Sequence, residues 1–87
     1  MKRYAYTRAL IIKRDGKACF YCGEVIPNED ITLEHLIARS RGGRDILENF
    51  VIAHSKCNNE MGVLPLNMKV DKAIKNRVEK FIKTKLL

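Results

Sequence analysis

No run of apolar residues in this 87-residue sequence is long enough to read as a signal segment or a membrane span, although Met1 is followed by the basic pair Lys2 and Arg3. The expectation is a cytoplasmic protein with no membrane partner. Repeats, low-complexity tracts and linker-like stretches are also missing, which predicts a single domain over 1–87. Cysteine is scarce and odd in number. Three cysteines cannot all pair within one chain, and a reducing compartment disfavours pairing. A chain this short builds only a small core, and domains of that size commonly rely on a staple. A metal is therefore a better reading of the cysteines than a disulfide.

What the sequence does have is positive charge, unevenly spread. The formal net charge is +7. Residues 1–17 carry six basic side chains against one acidic, and residues 68–87 carry seven against two. The stretch between them, 18–67, holds four basic and seven acidic. Basic flanks around a carboxylate-containing centre suit a polyanion partner whose phosphates meet a cation site in the middle. The competing reading is a set of solvated lysine faces. An apolar fraction of 46% argues against wholesale disorder.

Along the chain, apolar residues at helical spacing (Tyr6, Leu10, and Ala9 or Ile12) predict a helix over 4–14, stopped by Asp15-Gly16. Cys19-Phe-Tyr-Cys22-Gly23 is a tight knuckle, and 25–28, with Pro27, is a turn or an irregular strand edge. Residues 31–38 and 49–53 read as an antiparallel pair of strands. The loop between them, 39–48, is long for a hairpin and for that reason a candidate functional loop. A short helix is expected over 56–61, ended by Gly62. Asn67 is expected to cap a last helix over about 67–86, with Val70, Ile74, Val78, Phe81 and Ile82 forming a face that packs on the core.

Cys19-x-x-Cys22 and His54-x-x-Cys57 are two chelating pairs. Zinc takes four nitrogen or sulfur ligands in a tetrahedron, and a two-residue spacer lets one tight turn present both side chains to a single ion. Gly23 supports such a turn because a knuckle needs a residue tolerant of positive φ. The alternative is two buried, inert cysteines beside an unrelated pair. Two chelating pairs closing one small domain favour a structural zinc site, closed to substrate.

Arg14-Asp-Gly-Lys-Ala-Cys-Phe-Tyr-Cys-Gly23, Leu33-Glu-His-Leu-Ile, Ser40-Arg-Gly-Gly43, Glu48-Asn49-Phe-Val-Ile and Cys57-Asn58 occur in that order. Together they resemble a zinc-stapled HNH endonuclease of the ββα-metal class, over a motif core of about 9–62 that leaves out the last helix. The fold implied is α+β: a small zinc-stapled ββα-metal domain with an N-terminal helix and a C-terminal amphipathic helix. The resemblance implies that His35 is the general base and that Asn49 braces the hairpin and orients it. Glu34 and Asn58 would hold a catalytic divalent ion, magnesium or manganese. The implied activity is metal-dependent hydrolysis of DNA, nicking or cutting with weak sequence preference. The sequence departs from the usual pattern at Glu34 (Asp or His is commoner), Ala38 (proline), His54 (cysteine, leaving the zinc set competent) and Met61 (often a basic residue).

Elementary chemistry points the same way. Phosphodiester hydrolysis needs a water deprotonated near neutral pH and a cation where negative charge grows. Imidazole suits the first task, and a carboxylate with an amide oxygen are hard ligands suited to magnesium. Neighbours on a strand point to opposite faces, so Glu34 and His35 share a site only if the strand bends or the ion sits at its edge. Arg39, Arg41 and Arg44 flank Gly42-Gly43 and are expected to grip backbone phosphates, as are Lys72 and Lys75 on the last helix, where Lys80 and Lys83 also lie. Two other readings remain: a non-catalytic zinc-stapled nucleic-acid-binding module, and an accessory nuclease subunit of a phage or restriction machine that acts with a protein partner.

Overall fold

A computed structural model describes residues 4–86. Lys2 and Arg3, part of the basic N-terminal stretch, lie outside the described residues, as do Met1 and Leu87. Helix α1 (Ala5–Asp15) ends at Gly16, whose positive φ of 79° turns the chain out of the helix. It buries Ile11 and packs Ile12 against the core, while Tyr6 is 75% exposed and Ala9 is exposed, so of the expected face (Tyr6, Leu10, and Ala9 or Ile12) Ile12 turns inward and Tyr6 does not. Arg14 explains the rotation. Its guanidinium donates to the carbonyls of Leu47 (2.9 Å) and Phe50 (2.8 Å). Ile11, one helical turn earlier on the same side, is thereby directed into the core.

Two strands, β1 (Ile31–His35) and β2 (Phe50–His54), pair antiparallel from Ile31↔His54 to His35↔Phe50. Because directly paired residues share a face, Thr32 and Glu34 lie with Val51 and Ala53, and His35 lies with Phe50. β1 was expected to reach residue 38 but stops at His35. Asn49 captures the backbone beyond: Leu36 N–H donates to its carbonyl and Ile37 N–H to its side-chain Oδ1. The loop between the strands is ordered by single 3-10 turns at Arg39–Arg41 and Leu47–Asn49. Gly43 fits there for a steric reason. A Cβ at that position would sit 1.6 Å from the Ile37 carbonyl oxygen, and the Gly43 N–H donates to Ala38 O.

Helix α2 (Ser55–Met61) follows β2 directly, and Met61 joins the core. Helix α3 (Leu66–Leu86) begins straight after Pro65, so Asn67 is a residue of its first turn rather than the cap. The core gathers Ile11, Tyr21, Ile26, Ile31, Phe50, Ile52, Ala53, Met61 and Ala73, with Cys19 among them. The expected apolar face of α3 is not what packs. Ile74, Val78, Phe81 and Ile82 are between 42% and 59% exposed. The body is met instead by Lys69 and Ala73, and by Asn76 and Arg77, which donate to the carbonyls of Tyr21 and Phe20. Ala73 is small enough to bring the helix close, and the polar residues around it satisfy carbonyls that a row of isoleucines would leave bare.

Candidate active site and metal centre

The knuckle folds back on itself through Cys19 N–H to Glu24 O and Gly23 N–H to Cys19 O, with Gly23 at φ 80° as its spacing predicts. Phe20 N–H donates to Ile52 O, which lays the knuckle along β2 and brings it to His54 at the strand end. One ligand atom from each of Cys19, Cys22, His54 and Cys57 lies within 4.8 Å of all the others, and Cys22 Sγ is 3.5 Å from His54 Nδ1. This cluster could hold zinc, its three sulfurs and one imidazole nitrogen being a usual structural set. The thiols are electrostatically unequal. Burial raises Cys19, but backbone N–H groups of Cys22 and His54 aimed at its sulfur outweigh that and bring it down to about 7. Burial and the neighbouring Cys19 charge push Cys57 up to about 12. A second and third thiolate beside the first need a cation between them, and a divalent ion supplies it.

At the other end of β1, the His35 ring rests against Phe50, with centroids 4.6 Å apart. Its Nε2 lies 2.8 Å from Asp45 Oδ1. The hydrogen bond from His35, and the Arg39 guanidinium beside it, hold the Asp45 carboxyl below the usual aspartate range. An ionised carboxylate only accepts, so Nε2 carries the hydrogen and Nδ1 is left with the lone pair in the neutral ring. Asp45 belongs to the loop, and that loop is pinned by Asn49, whose amide donates to the carbonyls of Ile37 and Arg44 at 3.0 Å each. Nothing in the residue pattern marked Asp45. Its one signal is an acid placed directly after the three arginines of the hairpin loop.

Glu34 points to the other face of the strand and is 5% exposed. Its Oε2 accepts from the Tyr21 hydroxyl at 2.5 Å and stands 3.2 Å from Lys69 Nζ. Burial, then Glu34, drive the Tyr21 phenol well above the ordinary tyrosine range. Lys69 is wholly buried and also donates to the His35 carbonyl at 2.7 Å. Asn58, on α2, donates through Nδ2 to Thr32 Oγ1 and Leu33 O, which ties α2 to the middle of β1. A shallow cavity lined by Glu34, His35, Ala38, Arg39, Ser40, Gly62 and Val63 brings Glu34 and His35 to one opening despite their opposite faces, because His35 is the last residue of its strand. Asn58 is not part of that lining. A larger groove, which includes Arg14, Phe20, Arg77 and Lys80, shares none of these residues.

The basic residues of the loop are differently employed. Arg39 donates to Asp45 and to the Tyr4 hydroxyl, and Arg41 donates through Nε to Val63 O at 2.6 Å. Arg44 is exposed at the loop surface, as Lys72 and Lys75 are on α3. Tyr21, Asp45 and Lys69 are the site residues that motif reading does not reach. Among the described residues, no helix is long and apolar enough to cross a membrane.

A comparison with curated proteins gives no match. The profile of the HNH endonuclease family matches residues 19–79. That match begins at the first knuckle cysteine and runs well into α3, further than the motif core alone, and it leaves out α1. It spans well over half of the chain, including the cysteine pair, both strands, the helix with Asn58 and the buried Lys69. Sequence order, fold and profile agree, and the chain belongs to the HNH endonuclease family.

Proposed function

We propose that this protein is a metal-dependent endonuclease that hydrolyses phosphodiester bonds of DNA, with His35 as general base. The observation that carries the reading is the His35–Asp45 pair at 2.8 Å, at the mouth of a cavity that Glu34 also lines. Asp45 holds the imidazole with Nδ1 as the basic nitrogen, so a water near the cavity can give its proton to that atom. Asn49 keeps the loop that carries Asp45 in place, and Phe50 limits the tilt of the ring. Cys19, Cys22, His54 and Cys57 hold a structural zinc ion in this reading.

Glu34 and Asn58 are the proposed ligands of a second, catalytic ion. Both are oxygen donors, and one carboxylate with one amide fits a weakly held magnesium or manganese ion. Tyr21 and Lys69 engage Glu34 at Oε2, and Asn58 donates from its nitrogen, so an oxygen of each remains as a donor. Such an ion supplies positive charge where the leaving oxygen becomes negative. Arg44 and Lys72 offer phosphate contacts, and Arg39 and Arg41 add charge from positions already braced by the protein.

The test is conversion of supercoiled plasmid to nicked or linear form by zinc-loaded protein, without and then with added magnesium or manganese. Cleavage that appears on addition supports the reading; a plasmid that stays supercoiled with either ion refutes it. Lys69 favours one second reading, a nucleic-acid-binding module without catalysis, because its ammonium already neutralises Glu34. Binding of duplex DNA or RNA with no cleavage under any metal would establish that reading.

A further inference from the structure

Helix α3 carries two parallel rows of residues at four-residue spacing. The first is apolar: Val70, Ile74, Val78 and Ile82, with Phe81 beside it. The second follows one position later along the chain: Asp71, Lys75, Glu79 and Lys83, alternating in sign. Val70 is half-buried, but from Ile74 onward the apolar row is exposed, and the charged row is exposed along its length. Ile74, Val78, Phe81 and Ile82 are among the exposed large hydrophobics, on the side of the helix away from Lys69 and Ala73. Residues four apart could pair within the helix, yet Asp71, Lys75, Glu79 and Lys83 form no ion pair with one another or with the rest of the described residues. Three other basic residues of α3 are occupied, Lys69 with Glu34, Arg77 on the Phe20 carbonyl and Lys80 with Glu24 at 2.8 Å, while Lys72 is exposed outside both rows.

An alternating row has a property that a uniformly basic one lacks. Reversed in direction, minus-plus-minus-plus becomes plus-minus-plus-minus. Two copies of α3 laid antiparallel about an axis near residue 77 set Lys75 against Glu79 of the second copy and Glu79 against Lys75 of the second copy. The same axis sets Asp71 towards Lys83 at each end. Within a residue of that axis the apolar row is also self-complementary, with Ile74 opposite Val78 and Val70 opposite Ile82. A self-complementary surface about one axis is what an isologous two-fold contact requires. We infer that the apolar face of α3 is covered by α3 of a second copy, antiparallel, so that the protein forms a two-fold dimer through its C-terminal helix.

A helix of 21 residues is about 30 Å long, so the contact can run over several turns. An exposed apolar stripe flanked by charge is a usual mark of association. Lys75, an expected phosphate contact, is directed to Glu79 of the second copy in this arrangement. The inference is independent of the proposed chemistry: a dimer that does not cut DNA leaves it standing. If the nuclease reading also holds, each dimer brings two centres to one duplex.

The experiment is the mass in solution of the full zinc-loaded chain over a concentration series, by sedimentation or light scattering. The wild type should have the mass of two chains at high concentration and of one on dilution. Glu79→Lys sets lysine against lysine at the axis and should raise the dissociation constant at least about tenfold. Lys75→Glu combined with Glu79→Lys exchanges the signs and should restore the dimer. Ile74→Asp, at an exposed position, should give a folded monomer and stands in if Glu79→Lys does not fold. A single-chain mass at every concentration overturns the inference, as does a dimer indifferent to Glu79→Lys and Ile74→Asp, or a double exchange that stays monomeric. A monomer that sediments with vesicles of phosphatidylserine and phosphatidylcholine overturns it in favour of a membrane surface.

Discussion

Lys69 Nζ donates to the carbonyl of His35 across 2.7 Å, a contact between residues 34 positions apart. Through it the last helix supports the end of the strand that carries the proposed base. The same ammonium stands 3.2 Å from Glu34, and both side chains are almost wholly withdrawn from water. Removing one partner leaves the other's charge buried alone, which typically costs about 3–5 kcal/mol. Lys69→Met should therefore lower stability to urea by roughly that amount, and adding Glu34→Gln should recover much of it. A single variant as stable as wild type would show that the pair contributes nothing to the fold.

His35→Ala should fold, keep its zinc and bind DNA, while cleavage falls by roughly two to four orders of magnitude. Asp45→Asn keeps the ring's neighbour but lets an amide N–H face Nε2, which moves the imidazole hydrogen to Nδ1. Its cleavage should fall at least about tenfold with DNA affinity nearly unchanged, since the base is then protonated at the wrong atom. Plasmid-nicking rates alongside DNA binding give the comparison. Full activity of Asp45→Asn would remove Asp45 from the mechanism.

Tyr21 sets an alkaline limit. The fold holds its phenol neutral above the pH at which an unfolded tyrosine, with a pKa of about 10, ionises. Below that pH the contribution is constant. Above it the unfolded chain releases a proton that the folded chain retains, so stability falls as pH rises. Tyr21→Phe should flatten that decline between about pH 10 and 11.5 in urea melts. An equal slope in both proteins would assign the decline to other groups.

These long-range contacts separate what the residues announced from what they did not. The two chelating pairs and the strand–loop–strand–helix order are patterns that spacing and periodicity read directly, whereas His35, Asn49 and Asn58 were marked out by the family resemblance. Tyr21, Asp45 and Lys69 act across 10 to 35 residues of chain, where pattern gives no distance. The packed face of α3 differs from the apolar row for a related reason. An apolar row at helical spacing shows which side of a helix avoids water, and it does not say what covers that side. Here a lysine with a buried carboxylate to meet and a small alanine were better suited to the body than isoleucine and phenylalanine.

Metal content should be one zinc per chain. Cys22→Ser or Cys57→Ser should give an unfolded or insoluble protein, since zinc can be worth ~10–16 kcal/mol in small stapled folds. A metal-free sample that keeps its melting temperature would remove the staple.

Among the loop arginines, Arg44 has no side-chain hydrogen bond to the rest of the described protein, whereas Arg39 and Arg41 do. Arg44→Ala should reduce the slope of log affinity against log salt by about one unit on duplex DNA. An unchanged slope would return Arg44 to solvent.

Tyr21 lies between two of the four clustered donors, Cys19 and Cys22, and its hydroxyl grips Glu34. The thiolate cluster and the proposed catalytic carboxylate are thus mechanically in series, joined by one aromatic side chain. A strong chelator that strips the cluster also releases the knuckle, and with it the group that fixes Glu34. Inactivation by such a reagent would be biphasic: fast loss as magnesium is sequestered, reversed by magnesium alone, and slow loss as zinc departs, reversed only when zinc is returned first.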